Sequence, residues 1–546
     1  MLRFEEKLGT YSKQEIWNEY CGFLDLNIEE YMQIQNRLLK EQIKMWGDSQ
    51  LGQKFLKGRH PESIQEFREM VPLTTYEDYA EILLGRKQEM LPAEPVIWIQ
   101  TTWEGGKHPV KSAPYTKGML KTYQNCILAC LILSTSSKKG EFDVSAADNI
   151  LYALAPLPYP TGLFPVALND EIGIGFLPPV KEAVHMSFSE RNKKGFQMGM
   201  KKGIEFFFGM GSVAYFVSLS VAAMQGSKNG RGSLLQKISK ISPAMLVRLM
   251  QAKKACAREG RELMPKDLFH LKGFMCTGTD NWCYKDDLEQ LWGIRPMELF
   301  AGTEPTCIGT ETWTRKGMYF FPDPCFYEFI PEKEYERQIE DPAYEPHTVL
   351  MDEVLAGEKY ELVITVLKGG AFARYRVGDI YRCVGLENRE DETKIPRFQY
   401  LDRIPSVIDI AGFTRITEYS VEKAVELSGL PIQAWTARKE YKDGRRPALK
   451  LYVELKEEAL MNAAVSQNIL KNQLSIYFKY IDNDYEDLKK ILGMDPLGIQ
   501  IVKCGTFEKF KKKTGHEIRH MNPEEREMRI LIEGWKQKSA GREQYV

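Results

Sequence analysis

The sequence predicts an α/β protein in two parts. A large N-terminal part carries parallel or mixed sheets with covering helices, and a small α+β part follows it. Two observations lead there. The chain has 546 residues, too many for one ordinary core. A strand over 271–276, a helix, and a second strand ending near Gly302 give the order of a parallel sheet with crossovers. After Arg403 the pattern changes to a short helix, a hairpin around Asp443-Gly444 and a further helix, so the division expected is 1–403 and 404–546.

Composition narrows the class. Hydrophobic residues are 43% and charged residues 27%, which describes a globular chain. The formal net charge of -1 gives no global field for nucleic acid, and no nucleic-acid partner is expected. Ten scattered cysteines without a Cys-x-x-Cys pair suit reduced thiols and a cytoplasmic location. The opening Met1-Leu2-Arg3-Phe4-Glu5-Glu6-Lys7 lacks the apolar core of a signal peptide. Phe206 to Met224 is uncharged and long enough to be a candidate membrane span. Gly209, Gly211, Ser212, Ser218 and Ser220 dilute it, so a buried core helix or helix pair is preferred to membrane contact, and no stable insertion is expected.

In chain order, residues 12–57 read helical from the recurrence of Ile28, Tyr31, Met32, Ile34, Leu38 and Leu39. Val71 to Tyr79 is an extended proline segment entering a helix, with Thr75 as N-cap and Asp78 three residues on. Val96 to Ile99 is a short strand running into Gln100-Thr101-Thr102-Trp103-Glu104-Gly105-Gly106-Lys107, and Lys111 follows. Such a loop can cradle phosphates through backbone N–H groups; a plain polar loop is the competing reading. Residues 149–157 are strand-like, and 160–225 are rich in Gly, Phe and Met. Lys253, Lys254 and Arg258 read as the solvated face of a helix over 238–262. The strand over 271–276 ends in Thr277-Gly278-Thr279, and the next runs into Phe300-Ala301-Gly302-Thr303-Glu304. In parallel sheets ligands sit beyond the carboxyl ends of strands, where both motifs fall. Phe320 to Pro324 and Phe326 to Pro331 read as a strand pair, 332–346 as an acidic surface loop, and 361–366 as a buried strand. Asp379 directly follows Gly378, where the backbone can turn and a ligand can come close. An ionised Asp there can accept from a pair of hydroxyls; a turn Asp between strands is the bland alternative. His516 and His520 have i,i+4 spacing without a visible third ligand, so no zinc site is expected.

Tyr375-Arg376-Val377-Gly378-Asp379, then Phe398-Gln399-Tyr400-Leu401-Asp402-Arg403, then Gly412-Phe413-Thr414-Arg415-Ile416-Thr417-Glu418 resemble the adenylate-forming superfamily. The match is closer to its auxin-responsive branch, the acyl acid–amino acid ligases, and Tyr327-Glu328-Phe329-Ile330-Pro331 adds to it. The resemblance covers about 70–536. It implies a large N-terminal adenylate-forming domain and a small mobile C-terminal domain. By the same resemblance Asp379 binds the ribose diol of ATP, and Arg403 lies beside the ribose at the hinge. Phe300 flanks the adenine with Ala301 and Gly302, Thr303 contacts the α-phosphate, and Glu304 holds Mg²⁺. Thr101, Thr102 and Lys111 take the place of the phosphate loop, with Thr277 and Gly278 as further nucleotide contacts.

Two departures stand out. Trp103 and Glu104 occupy positions where the family has small residues, and Glu104 repels a triphosphate unless a metal or lysine intervenes. Near the C-terminus Arg519 stands where a catalytic lysine is expected, with lysines among 509–513 as the alternative. The reaction implied is ATP-dependent activation of a carboxylic acid as acyl-adenylate, then transfer to an amine, most simply an amino acid. CoA as acceptor, or a degenerate member that binds acyl acid or nucleotide without turnover, are the alternatives.

Overall fold

A computed structural model describes residues 2–101, 108, 110–215, 218–219, 242–412, 414–444, 446–456, 463–481 and 495–536. The chain divides into two compact units. One comprises Met1–Thr101 with Val110–Asp402, the other Thr102–Pro109 with Arg403–Val546.

The first unit is built on an 11-stranded mixed sheet. One half is parallel. It runs β4 (Gly175–Leu177), β3 (Asn149–Ala153), β5 (Phe206–Met210), β6 (Gly273–Thr277) and β7 (Met297–Gly302). The sheet continues antiparallel through β8 (Thr306–Glu311) and β9 (Met318–Phe320) to β13 (Arg397–Arg403). It closes through β12 (Tyr375–Gly385), β11 (Lys359–Val366) and the edge strand β10 (Cys325–Pro331). A separate antiparallel pair joins β1 (Pro95–Gln100) to β2 (Ser112–Thr116). Helix Lys117–Thr135 is buried in an unbroken run from Cys126 to Ser134, so it reads apolar on every side.

Three expectations change here. Phe206–Met210 is a strand, not part of a helix; 211–215 then turns helical, and 216–217 and 220–224 lie outside the described residues. The physical reason is that β5 lies between β3 and β6 with both faces covered: Phe206, Phe207 and Phe208 point to alternate faces and all three are buried. Such a strand is as uniformly apolar as a buried helix. Among the described residues no helix is long and apolar enough to cross a membrane. The segment read as an acidic loop opens with helix Glu332–Glu340, which buries Tyr335 and places Glu332 and Glu334 in its first turn. Finally, the aromatic runs either side of Pro322 do not pair: β9 pairs with β8 and β13, whereas β10 pairs with β11.

The second unit holds the ribbon β14 (Val407–Ile410) and β15 (Thr414–Thr417), and helix Glu418–Ser428 follows it. It also holds a three-stranded sheet of β16 (Ile432–Lys442), β17 (Arg446–Leu455) and β18 (Leu497–Val502), with helix Ala463–Ile481 between the last two. The parallel pairing of β17 with β18 needs a crossover of this kind. The C-terminal helices Thr506–Thr514 and Glu525–Lys536 pack over a small core of Tyr452, Val502, Phe510, Ile518, Met528 and Leu531.

Candidate active site

β7 and β8 pair antiparallel, with Gly302 opposite Thr306, so Thr303, Glu304 and Pro305 form the tip of a hairpin. A Cβ on Gly302 would stand 2.8 Å from the Pro305 ring, so only glycine allows this turn. Tyr115 on β2 holds the tip from one side, its hydroxyl donating to the carbonyls of Thr303 at 2.8 Å and Gly302 at 3.2 Å. Tyr375 holds it from the other, donating to Glu304 Oε1 at 2.7 Å. Lys111 Nζ lies 3.8 Å from the same oxygen. Thr303 and Glu304 are both buried.

Tyr375 opens β12, which also carries Asp379. Between the pairs Val363–Arg376 and Glu361–Ile380 the register slips, so Val377, Gly378 and Asp379 bulge from the strand. Gly378 sits at φ 79°, where glycine is favoured. Asp379 is thus the last residue of a bulge within a continuous strand, not of a turn between strands, and it is 1% exposed.

Phe300 near the end of β7 lies in an aromatic group. Its ring stacks on Tyr400 at 5.9 Å, and Tyr381 stands edge-on to both at 5.5 Å. Thr277 ends β6 and Gly278 follows at φ 97°. The loop beyond is fixed by Asn281, which accepts from the Gly211 N–H at 2.9 Å and donates to the Gly278 carbonyl at 2.8 Å. Thr101 is buried and serves the backbone: its hydroxyl accepts from the Lys111 N–H at 3.0 Å. Thr102 and the departures Trp103 and Glu104 lie outside the described residues. Arg403 ends β13 and is the first residue of the second unit.

Within the second unit, Arg519 lies in the turn before the last helix, 3.3 Å from Glu524 Oε1. Its carbonyl accepts from Thr436. His516 packs its ring on Phe510, whereas His520 stacks on Trp435 and meets Glu418 at 2.6 Å. The two histidines therefore have different partners, and His520 groups with Glu418 and Glu422 at an exposed position.

The structure thus brings Lys111, Thr303 and Glu304 together and places Tyr375 and Asp379 on one strand. Sequence reading missed Tyr115, Tyr375, Tyr381, Tyr400 and Asn281. Only the aromatic density of 372–400 hinted at any of them.

A hairpin acid at the end of β7, a lysine beside it and a carboxylate on the β12 bulge are set on the fold of the adenylate-forming enzymes. Along 96% of this chain and 97% of the other, the fold matches an acyl acid amido synthetase solved with 2,4-DB, at 15% identity and a TM-score of 0.51. A 2-hydroxyisobutyryl-CoA ligase solved with 2-HIB-AMP and CoA matches over 87% and 86%, at 15% identity and a TM-score of 0.56. Two family models match parts of the chain: the GH3 family N-terminal domain over residues 22–147 and the GH3 family central domain over residues 318–403. An indole-3-acetic acid-amido synthetase of Arabidopsis thaliana is 30% identical over 242 residues, 40% of this chain and 37% of the relative. A jasmonoyl–L-amino acid synthetase of Nicotiana attenuata is 29% identical over 194 residues, 34% of this chain and 30% of the relative. The matched stretches are thus about a third of those relatives' own length.

Proposed function

We propose that the chain is an ATP-dependent acyl-acid amido synthetase. One observation carries the reading: Lys111 and Tyr375 converge on Glu304 at the hairpin tip, and Tyr375 lies on the strand whose bulge holds Asp379. A cation, a carboxylate and a second carboxylate on a fixed bulge fit the phosphates, the metal and the ribose of one nucleotide.

In the first step an oxygen of the substrate carboxylate attacks the α-phosphorus of ATP, and pyrophosphate leaves. Lys111 offsets phosphate charge, Thr303 orients the α-phosphate, and Asp379 accepts from the ribose hydroxyls. Glu304 suits Mg²⁺, because a buried carboxylate oxygen is a hard donor and Mg²⁺ takes one or two carboxylates beside phosphate oxygens. When bound, the ion supplies charge neutralisation on the phosphates. Phe300, with Tyr400 and Tyr381 beside it, offers a ring face to adenine. Ala301, Gly302, Thr277 and Gly278 bring backbone close to the nucleotide, while Thr101 fixes the strand end that carries Lys111.

In the second step an amine nitrogen attacks the acyl carbon and AMP leaves. The amine is most simply that of an amino acid, the acceptor in the name of the Nicotiana attenuata relative. Residues 404–546 act as a mobile domain hinged at Arg403, and Arg519 supplies a charge in place of the expected lysine. The protein works in the cytoplasm. A CoA thiol is the second reading, favoured by the fold match to a CoA ligase.

The test is pyrophosphate release across a panel of carboxylic acids with ATP and Mg²⁺. Release that depends on a particular acid is expected. No acid-dependent release, with AMP still bound in a separate titration, points to a binding protein instead.

A further inference from the structure

The segment Val71–Tyr79 joins the two backbones that carry the site. Thr74, fully buried, lies beside Tyr375 as a parallel bridge. Its N–H donates to the Arg374 carbonyl at 2.9 Å, and its carbonyl accepts from Arg376 at 2.9 Å. Tyr79 adds its hydroxyl, which donates to the Ala373 carbonyl at 3.0 Å. Tyr76 reaches the other backbone: its hydroxyl accepts from the Ser112 N–H at 2.6 Å and donates to the Ser112 carbonyl at 3.0 Å. Ser112 directly follows Lys111, and the Lys111 ammonium lies over the Tyr76 ring, 5.6 Å from its centroid. The Tyr76 turn is itself pinned, the Thr75 N–H donating to Asp78 Oδ2 at 2.8 Å.

One buried hydroxyl that occupies both backbone groups of Ser112 fixes where the neighbouring Cα points. The ring face then attracts the ammonium and restricts its rotamers. We propose that Tyr76 is a positioning residue that sets Lys111 against the phosphate end of the nucleotide. It does not itself touch the nucleotide, and the assignment rests on the nucleotide reading given above. Because Tyr76 acts through Lys111, its loss is felt where phosphates beyond the first are bound. AMP is then nearly blind to it.

The test is a double-mutant cycle read by calorimetric titration with AMP and with ATP in Mg²⁺. Tyr76→Phe keeps the ring and removes the hydroxyl. It is expected to weaken ATP about three- to ten-fold and to leave AMP within about twofold. In a Lys111→Ala background the same substitution is expected to change ATP affinity by less than about twofold, because the residue it acts through is gone. Should Tyr76→Phe melt below the titration temperature, parent and variant are both titrated at a lower temperature at which the variant is folded. Equal losses for AMP and ATP, or an equal loss with and without Lys111, overturn the Tyr76 assignment alone. A parent chain that binds neither nucleotide overturns the nucleotide reading and this assignment with it.

Discussion

Glu328 lies fully buried between two arginines. Burial alone would raise its pKa. The charge and hydrogen bonds of Arg374, the Thr348 hydroxyl and Arg68 outweigh that and hold it below the ordinary glutamate range. Arg374 approaches it at 3.0 Å and Thr348 at 2.6 Å. A depressed folded pKa gives stability that is present above the unfolded value and lost as pH falls through the folded one. Glu328→Gln leaves the arginine charges without their carboxylate, so a loss of about 3–5 kcal/mol is expected. Urea titrations of parent and variant check it, and their difference should shrink below about pH 4. A second prediction belongs to Asp379. Asp379→Asn keeps the shape and removes the charge, and one charge-assisted hydrogen bond contributes about 1.5–3 kcal/mol. AMP and ATP affinities should therefore fall together by about ten- to a hundred-fold, since both carry the ribose. Calorimetry on a folded variant with unchanged affinity would remove Asp379 from the ribose.

At the scale of elements, the bulge in β12 and the β7–β8 hairpin do the placing. Gly378→Ala puts a side chain at φ 79°, at a cost of about 1–2 kcal/mol, and shifts Asp379 with it. A thermal melt should show that loss, and AMP affinity should fall by less than it does in Asp379→Asn. The sequence made these positions legible because Gly-Thr-Glu is a short local pattern at a strand end and the glycine of Gly-Asp marks a break in the strand, read there as a turn and found to be a bulge. It did not reveal Tyr375 on Glu304 or Tyr76 on Ser112. Those contacts join residues 71 and 36 positions apart, and no local spacing marks them. β5 was misread for a different reason. A strand covered on both faces has no alternation, so Phe206-Phe207-Phe208 looks the same to periodicity as a core helix. Helix Glu332–Glu340 was hidden by its charge, with Tyr335 as its one buried residue.

At the scale of the molecule, an α/β body followed by a smaller α+β unit was legible from length and from the change of pattern after residue 403. The order of strands in the 11-stranded sheet was not, because it depends on pairings between distant segments. The account proposes that the chain couples a carboxylic acid to an amine. Its central claim is the amide product. The direct measurement is mass spectrometry of a reaction holding an activated acid, ATP, Mg²⁺, an amino-acid mixture and CoA together. The account predicts AMP and an acid–amino acid conjugate lighter than its two parts by one water. An acyl-CoA thioester as the sole acylated product would contradict it.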